Sequence, residues 1–221
     1  MTRVLHHCHQ TRSMRSLWLL HELELAFDLV VHPFGPDLYT PEYRSIHPLG
    51  RVPCLVDGDV TLFESGAIAE YLCETYARQG SLWRSPGSPD RAAWLQWLHY
   101  AETIAVHVAN LTQQHIVIWE DAQRSPMVMK LEARRLAKAL AVVEKALAGR
   151  DWMLPSGFSA VDTGIGYSVY AAQHFCDISS LPNIRAYLDR CALRPAFASA
   201  LPPDDAPRLY ARPFYAEPGK A

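Results

Sequence analysis

The 221-residue chain reads as an α/β domain followed by an all-helical one. Three observations predict that division. A strand–helix–strand pattern over about 2–33 is followed by a hairpin and a helix that are complete by about residue 78. Residues 79–90 then change abruptly to Gly, Ser and Pro, the composition of a linker. From Arg91 onward apolar residues recur at helical spacing and no segment reads as a strand. The expected organisation is 1–78, a linker at 79–90, a helical domain at 91–201 and a proline-rich tail at 202–221.

Thr2 to His6 is short and β-like, and a polar turn follows through Ser13. Met14, Leu17, Trp18, Leu20 and Leu23 predict a first helix over about 13–24, and residues 27–33 a second strand. Two strands joined by a helix pair in parallel through a right-handed crossover. Residues 34–50 hold Pro36, Pro41, Pro48 and Gly50, so a loop is expected there, with one helical turn around Pro41–Arg44. Asp57-Gly58 predicts a two-residue hairpin turn between an apolar strand and the return strand Val60–Phe63. Pro53 cannot donate to a ladder, so it belongs at the strand's first residue, where a tight entry suits a cis bond. Ser65 stands where a helix N-cap is expected, ahead of Ile68, Tyr71, Leu72 and Thr75.

In the second half, Trp94, Trp97, Leu98, Ala101, Ile104, Ala105, Val108 and Leu111 mark a long helix. Ser125-Pro126 reads as an N-cap with proline in the first helical position. Leu136, Leu140, Val143 and Leu147 follow, and Gly149 is a C′ stop. Ser159-Ala-Val-Asp162 is a variant capping box, which makes Asp162 a structural and not a catalytic carboxylate. Its helix is rich in small residues, as the central member of a bundle would be. Further helices are expected over about 182–193 and 195–201. The tail after Leu201 should be irregular, with Tyr210, Phe214 and Tyr215 available to dock it.

The segment from Arg51 to Gly66 carries the first functional signal. The opening amides of a helix at Ser65 lack internal partners and carry partial positive charge, so a carboxylate fits there. Read alone, Glu64-Ser65 is equally a plain helix cap. The two readings separate only when the rest of the chain is considered.

Five segments, in order, carry a resemblance to a known family. They are Ser13-Met-Arg-Ser-Leu-Trp-Leu-Leu-His-Glu-Leu23, His47-Pro-Leu-Gly-Arg-Val-Pro53, Glu64-Ser65-Gly-Ala-Ile68 with Tyr71-Leu72, Phe158-Ser159-Ala-Val-Asp162, and Leu181-Pro-Asn-Ile-Arg-Ala-Tyr-Leu188 with Arg194-Pro-Ala-Phe197. Together they resemble the cytosolic glutathione transferase family, in the manner of its serine-type bacterial members. The resemblance covers essentially the whole chain. It implies a thioredoxin-like N-terminal domain, an all-α C-terminal domain and glutathione as co-substrate. It also implies that the Val52 backbone, beside a cis Pro53, holds the cysteinyl part. Glu64 and Ser65 would read the γ-glutamyl ammonium and carboxylate. Arg51 would face the glycyl end, with His47 a lesser candidate. The resemblance further implies a homodimer, an apolar electrophile as second substrate, and a cytoplasmic enzyme that conjugates the thiolate to it.

The group that activates sulfur is expected near the start of the first helix. Members of the family it resembles use Tyr, Ser or Cys there; no Tyr occurs, so the resemblance implies the hydroxyl of Thr11, at the serine-type position, or of Ser13, the expected helix N-cap, with Arg12 as electrostatic support. Lowering a thiol pKa by about two units needs roughly 2.7 kcal/mol of differential stabilisation, within reach of a hydroxyl donor and a helix N-terminus. Cys8 keeps open a thiol reductase or peroxidase, and the fold class keeps open a non-catalytic adaptor.

Other features exclude functions. With 21 basic and 23 acidic residues, nothing favours nucleic acid or an anionic membrane as partner. No apolar run approaches the roughly 20 residues of a membrane span, and the N-terminal residues lack a signal-peptide core. The five cysteines, none in a CxxC pair, read as reduced thiols. His6-His-Cys-His9 invites a metal, but four adjacent ligands cannot easily close a tetrahedral site, so none is expected. His99, His107 and His115 drift by about 80° per step around a helix and share no face. His107 alone is expected to border a substrate pocket, whose walls would be Ile104, Ala105, Val108 and the tail aromatics.

Overall fold

The computed structural model describes residues 3–78 and 81–217. Thr2, Gln79, Gly80 and Pro218, which figure in the expectations above, lie outside the described residues. The N-terminal half holds β1 (Arg3–His7), α1 (Ser13–Glu22), β2 (Asp28–Val31), the single turn α2 (Pro41–Arg44), β3 (Cys54–Asp57), β4 (Val60–Phe63) and α3 (Ser65–Tyr76). The sheet order is β2-β1-β3-β4. β1 runs parallel to β2 and antiparallel to β3, which pairs antiparallel with β4. This is the four-stranded mixed sheet of a thioredoxin-like domain.

Helices alone follow among the described residues: α4 (Arg91–Thr112), α5 (Pro126–Ala146), α6 (Ala160–Ala172), α7 (Pro182–Ala192) and α8 (Pro195–Ala200). Helix α6 is buried on nearly every face and packs against α1, α4 and α7, so it is the bundle's centre. The leucine and valine stripe of α5, Leu136, Leu140, Val143 and Leu147, is buried as its spacing predicts. Trp94 and Trp97 are core residues. Residues 202–217 have no regular structure, and two aromatics dock them. Tyr210 stacks on His174 at 4.4 Å and Tyr215 on Phe175 at 5.5 Å, while Phe214 stays exposed.

Local expectations needed four corrections. Asp57 is still in the ladder, paired with Val60, so the hairpin turn is Gly58-Asp59. The carboxylate of Asp57 is held there by the hydroxyls of Tyr71 and Tyr76 and by Arg3. Ser13 and Ser65 are first helical residues and not caps, since Arg12 and Glu64 occupy the cap positions without capping side-chain bonds. Gly149 takes its positive φ one residue beyond C′, because α5 ends at Ala146 with Leu147 as its cap. The long helix widens after Thr112 into a looser turn over Gln113–Val117 and ends short of Trp119.

The capping box of α6 is formed in full. Asp162 accepts from the Ser159 amide at 2.9 Å, the Met153 amide at 3.0 Å and the Tyr187 hydroxyl at 3.1 Å. Burial pushes its carboxyl up to about 6, against the pull of those three donors. Asp162→Ala removes the shared acceptor and leaves two buried amides unpaired, while the Tyr187 phenol keeps only the residue 162 carbonyl at 3.3 Å. The expected loss is on the order of 3 kcal/mol in urea unfolding, with any remaining folded protein unchanged in its affinity for small ligands.

Candidate active site

A cavity of about 240 Å³ lies where the β1–α1 loop and the segment before β3 face α4, α6 and the C-terminal tail. One wall carries Thr11, Arg12, Arg51 and Val52. The opposite wall is mixed: Ala105, Val108 and Ala109 of α4, Ala171 of α6 and Leu209 of the tail are apolar, and Thr112, Gln113, Tyr167, Ser168 and Tyr210 add polar atoms. The sequence reading anticipated Ala105, Val108 and Tyr210. Ile104 is instead a fully buried core residue. His107 points to α5, where its Nδ1 lies 2.7 Å from the buried Glu132, and does not border the cavity.

The Val52–Pro53 bond is cis. Strand pairing begins at Cys54, so the Val52 backbone is not taken up by the ladder. Gly50 sets the approach to this segment. It has φ +57, and a Cβ there would stand 2.2 Å from the Leu38 carbonyl oxygen, a spacing no side chain can meet. Tyr43 donates from its hydroxyl to the Arg51 carbonyl at 2.7 Å and holds the segment from below. His47 is buried against Tyr43 and Phe63, and its Nδ1 accepts the Leu49 amide at 3.2 Å. It shapes the loop and lies outside the cavity lining.

The two candidate hydroxyls differ in access. Thr11 lines the cavity; its hydroxyl donates to the Cys8 carbonyl at 2.8 Å and lies 2.9 Å from Ser13 Oγ. Ser13 is fully buried, 2.8 Å from His7 Nδ1, and accepts the Cys8 amide at 3.1 Å. Burial, then the neighbouring His9, pull His7 down to about 3, so its ring is neutral. Ser13 is therefore the anchor behind Thr11, out of reach of the cavity. His6 pairs with His32 at 3.0 Å and His7 with His9 at 3.3 Å. Among the described residues no group of His, Cys, Asp and Glu is placed to hold a metal.

Glu64 has φ 77 and ψ 111, an uncommon conformation for a side-chain-bearing residue, costing on the order of 1–3 kcal/mol. Its side chain is exposed, and the first amides of α3 begin directly after it. Neither Glu64 nor Ser65 lines the main cavity. Ser65 is tied to it through residues the sequence reading did not single out. Its hydroxyl accepts from Arg15 Nη1 at 3.1 Å and donates to Glu102 Oε1 at 3.2 Å. Glu102 in turn takes Arg15 Nη1 and, at 3.2 Å, Arg12 Nη1. Burial favours the neutral Glu102 carboxyl, but Arg15 and Arg12 outweigh it and hold the group below its ordinary range. A usable signal existed for this network. Arg15 falls between Met14 and Trp18 on the buried stripe of α1, and a buried guanidinium demands a carboxylate.

Residues 11–75 match the family model for the glutathione S-transferase N-terminal domain. Glutathione S-transferase F7 of Arabidopsis thaliana is 30% identical over 168 residues, 72% of this chain and 78% of that protein. The disulfide-bond oxidoreductase YfcG of Escherichia coli is 28% identical over 82% of this chain and 86% of its own length. Among solved structures, the theta class glutathione S-transferase of Xanthomonas axonopodis pv. citri, with glutathione bound, is 27% identical. It superposes with a TM-score of 0.77 over 90% of this chain and 97% of that one. The class is thus a thioredoxin-like domain joined to a helical bundle. The chain belongs to the cytosolic glutathione S-transferase family.

Cys8 is buried, and burial pushes its thiol up to about 11. It should be alkylated by iodoacetamide far more slowly than a free thiol at pH 8, with the rate still climbing toward pH 10. Fast modification that levels off near pH 8.5 would contradict a protonated Cys8.

Proposed function

We propose that this protein is a glutathione transferase that activates the glutathione thiol at Thr11 and delivers the thiolate to an apolar electrophile. The observation that carries the reading is one cavity with a hydroxyl and a free backbone segment on one wall and, on the other, a patch of aliphatic side chains, Ala105, Val108 and Ala171 among them.

Each end of glutathione finds matching chemistry. The Val52 backbone can pair with the cysteinyl amide. At the γ-glutamyl end, Glu64 and the accessible side of Glu102 suit the ammonium. The Ser65 hydroxyl and the opening amides of α3 suit the carboxylate. Arg51, exposed at the cavity rim, suits the glycyl carboxylate. His47 contributes by holding the loop that presents Arg51. Thr11 has one proton, directed in this structure to the Cys8 carbonyl. Rotation of the hydroxyl turns it into the cavity, where it donates to sulfur. Ser13 lies close enough to donate to Thr11 Oγ1 in its place. The N-terminus of α1 and Arg12 add positive potential, although Arg12 shares its charge with Glu102. The thiolate then attacks an electrophilic carbon held against Ala105, Val108 and Ala171, and the leaving group departs with the bonding pair. A cytoplasmic homodimer completes the reading. None of the described helices is long and apolar enough to cross a membrane.

The likeness to a disulfide-bond oxidoreductase supports a second reaction at the same site, attack of the thiolate on a disulfide. It would not use Cys8, whose thiol is protonated.

Thr11→Val keeps the shape of the side chain and removes the hydroxyl. The pKa of bound glutathione should rise by about two units in thiolate absorbance titrations, and kcat/KM at pH 7 should fall on the order of 30–100-fold. Calorimetric affinity for glutathione should change little. An unshifted thiol pKa would remove Thr11 as the activating group. Absence of glutathione binding by the unaltered protein at millimolar concentration would remove the transferase altogether and favour an adaptor. Ser65→Ala should act differently, weakening glutathione binding about tenfold with little effect on kcat.

A further inference from the structure

Beside the first cavity lies a second chamber of about 490 Å³, between the end of β2, the β1–α1 loop and the tail. Phe34 and Leu209 line both and form the partition between them. The first chamber is just below the roughly 300 Å³ of a typical small-molecule site, and Thr11 takes up part of its lining. An electrophile much larger than a single ring would outgrow it and reach the partition.

The second chamber has a definite chemical character. Its lining is mostly apolar, and none of its lining side chains is acidic. Its polar side chains are Cys8, His9, His32 and Arg208. Cys8 is a neutral thiol. Burial lowers both histidines, against the opposing pull of Asp37 on His32, so both are neutral near pH 7. Their ring nitrogens are partly engaged with His7 and His6. Arg208 is then the one permanent charge on the lining. Its only ion pair among the described residues is with Asp204 at 3.6 Å. Both groups are solvent-exposed, and such a pair contributes little, so Arg208 is available to a ligand at small cost.

Resting on the transferase reading, we propose that the electrophile site is bipartite: the second chamber receives the distal, negatively charged end of an elongated aromatic substrate, and Arg208 reads that charge. The reactive carbon stays in the first chamber, near Thr11. The linking portion passes between Phe34 and Leu209, which are side chains on irregular segments and can part without disturbing a helix or the sheet.

Titration calorimetry on the full chain with three probes tests this: glutathione, an S-aryl glutathione conjugate whose tether ends in a neutral amide, and the same conjugate ending in a carboxylate. The carboxylate conjugate should bind about fivefold more tightly than the amide, the scale of one partly exposed ion pair. The preference should vanish in Arg208→Gln and reverse in Arg208→Glu. Equal affinities in the unaltered protein would overturn the proposal. So would a preference that survives Arg208→Glu and disappears in Arg51→Gln, since the anion would then sit in the first chamber. If glutathione itself does not bind, the transferase reading fails and the bipartite site with it. If glutathione binds without a carboxylate preference, only the bipartite site fails.

Discussion

The buried guanidinium of Arg15 is the constraint on which the site depends. It leaves α1 and meets a carboxylate on α4, the Ala101 carbonyl at 3.0 Å, the Ser168 hydroxyl at 2.9 Å on α6 and the Ser65 hydroxyl on α3. A charge removed from water costs several kcal/mol unless its hydrogen bonds are met, and here all but the Nε–H are. Four helices from both halves of the chain are thereby held to one geometry. Ser65 cannot shift without disturbing Glu102, and Glu102 cannot shift without releasing Arg12 into the cavity. Electrostatics at the start of α3 and at the start of α1 are coupled through this one side chain.

Packing supplies what the ion pair does not. One turn along α1, Trp18 is fully buried against α6 at Gly166, where a Cβ would fall 2.8 Å from the indole ring. Glycine is required there because the helix and the indole approach too closely for any side chain. Edge contacts from Phe197 at 4.8 Å close the other side of the ring. Helix α1 therefore has two anchors, one ionic and one aromatic, on the face turned to the bundle. Its N-terminus, with Thr11 and Arg12, is held at a fixed distance from α4. The role proposed for Thr11 requires such a rigid first helix, since a threonine hydroxyl has little reach of its own.

Legibility in the sequence followed the range of the forces involved. Periodicity and turn chemistry are local, so the strand and helix order and the capping box at Ser159 and Asp162 could be read directly. The motif from Arg51 to Ser65 was legible because a cis proline entry and a helix start are both short-range patterns. Errors of one residue at Ser13, Ser65 and Asp57 arose where a nonlocal partner decided the boundary. Ser13 is drawn into the buried network with His7, and Asp57 is kept in the ladder by Tyr71, Tyr76 and Arg3. Glu102 was illegible because its role comes from Arg15, 87 positions away in the chain. The difference in access between Thr11 and Ser13 likewise appears only in three dimensions, since the loop exposes one hydroxyl to the cavity and buries the other.

That loop also sets a hydroxyl and the nearby thiol in different surroundings. Cys8 and Thr11 are joined by the bond from the Thr11 hydroxyl to the Cys8 carbonyl, yet they face different chambers. Cys8 is buried in a mostly apolar surround whose histidines are neutral, and that burial opposes its ionisation. Thr11 stands at the positive end of α1 with Arg12 beside it, where a thiolate brought by a ligand is favoured. The same few residues thus divide the space into a side that stabilises negative sulfur and a side that keeps sulfur protonated. Such a division would suit, on the proposed reading, a nucleophile brought by a ligand, with the buried Cys8 left protonated. The tail then has a reason to dock. Gln10 accepts the Tyr210 amide at 3.0 Å and donates to the Tyr170 hydroxyl at 2.9 Å, so the loop that sorts the two environments also fixes the wall that encloses them.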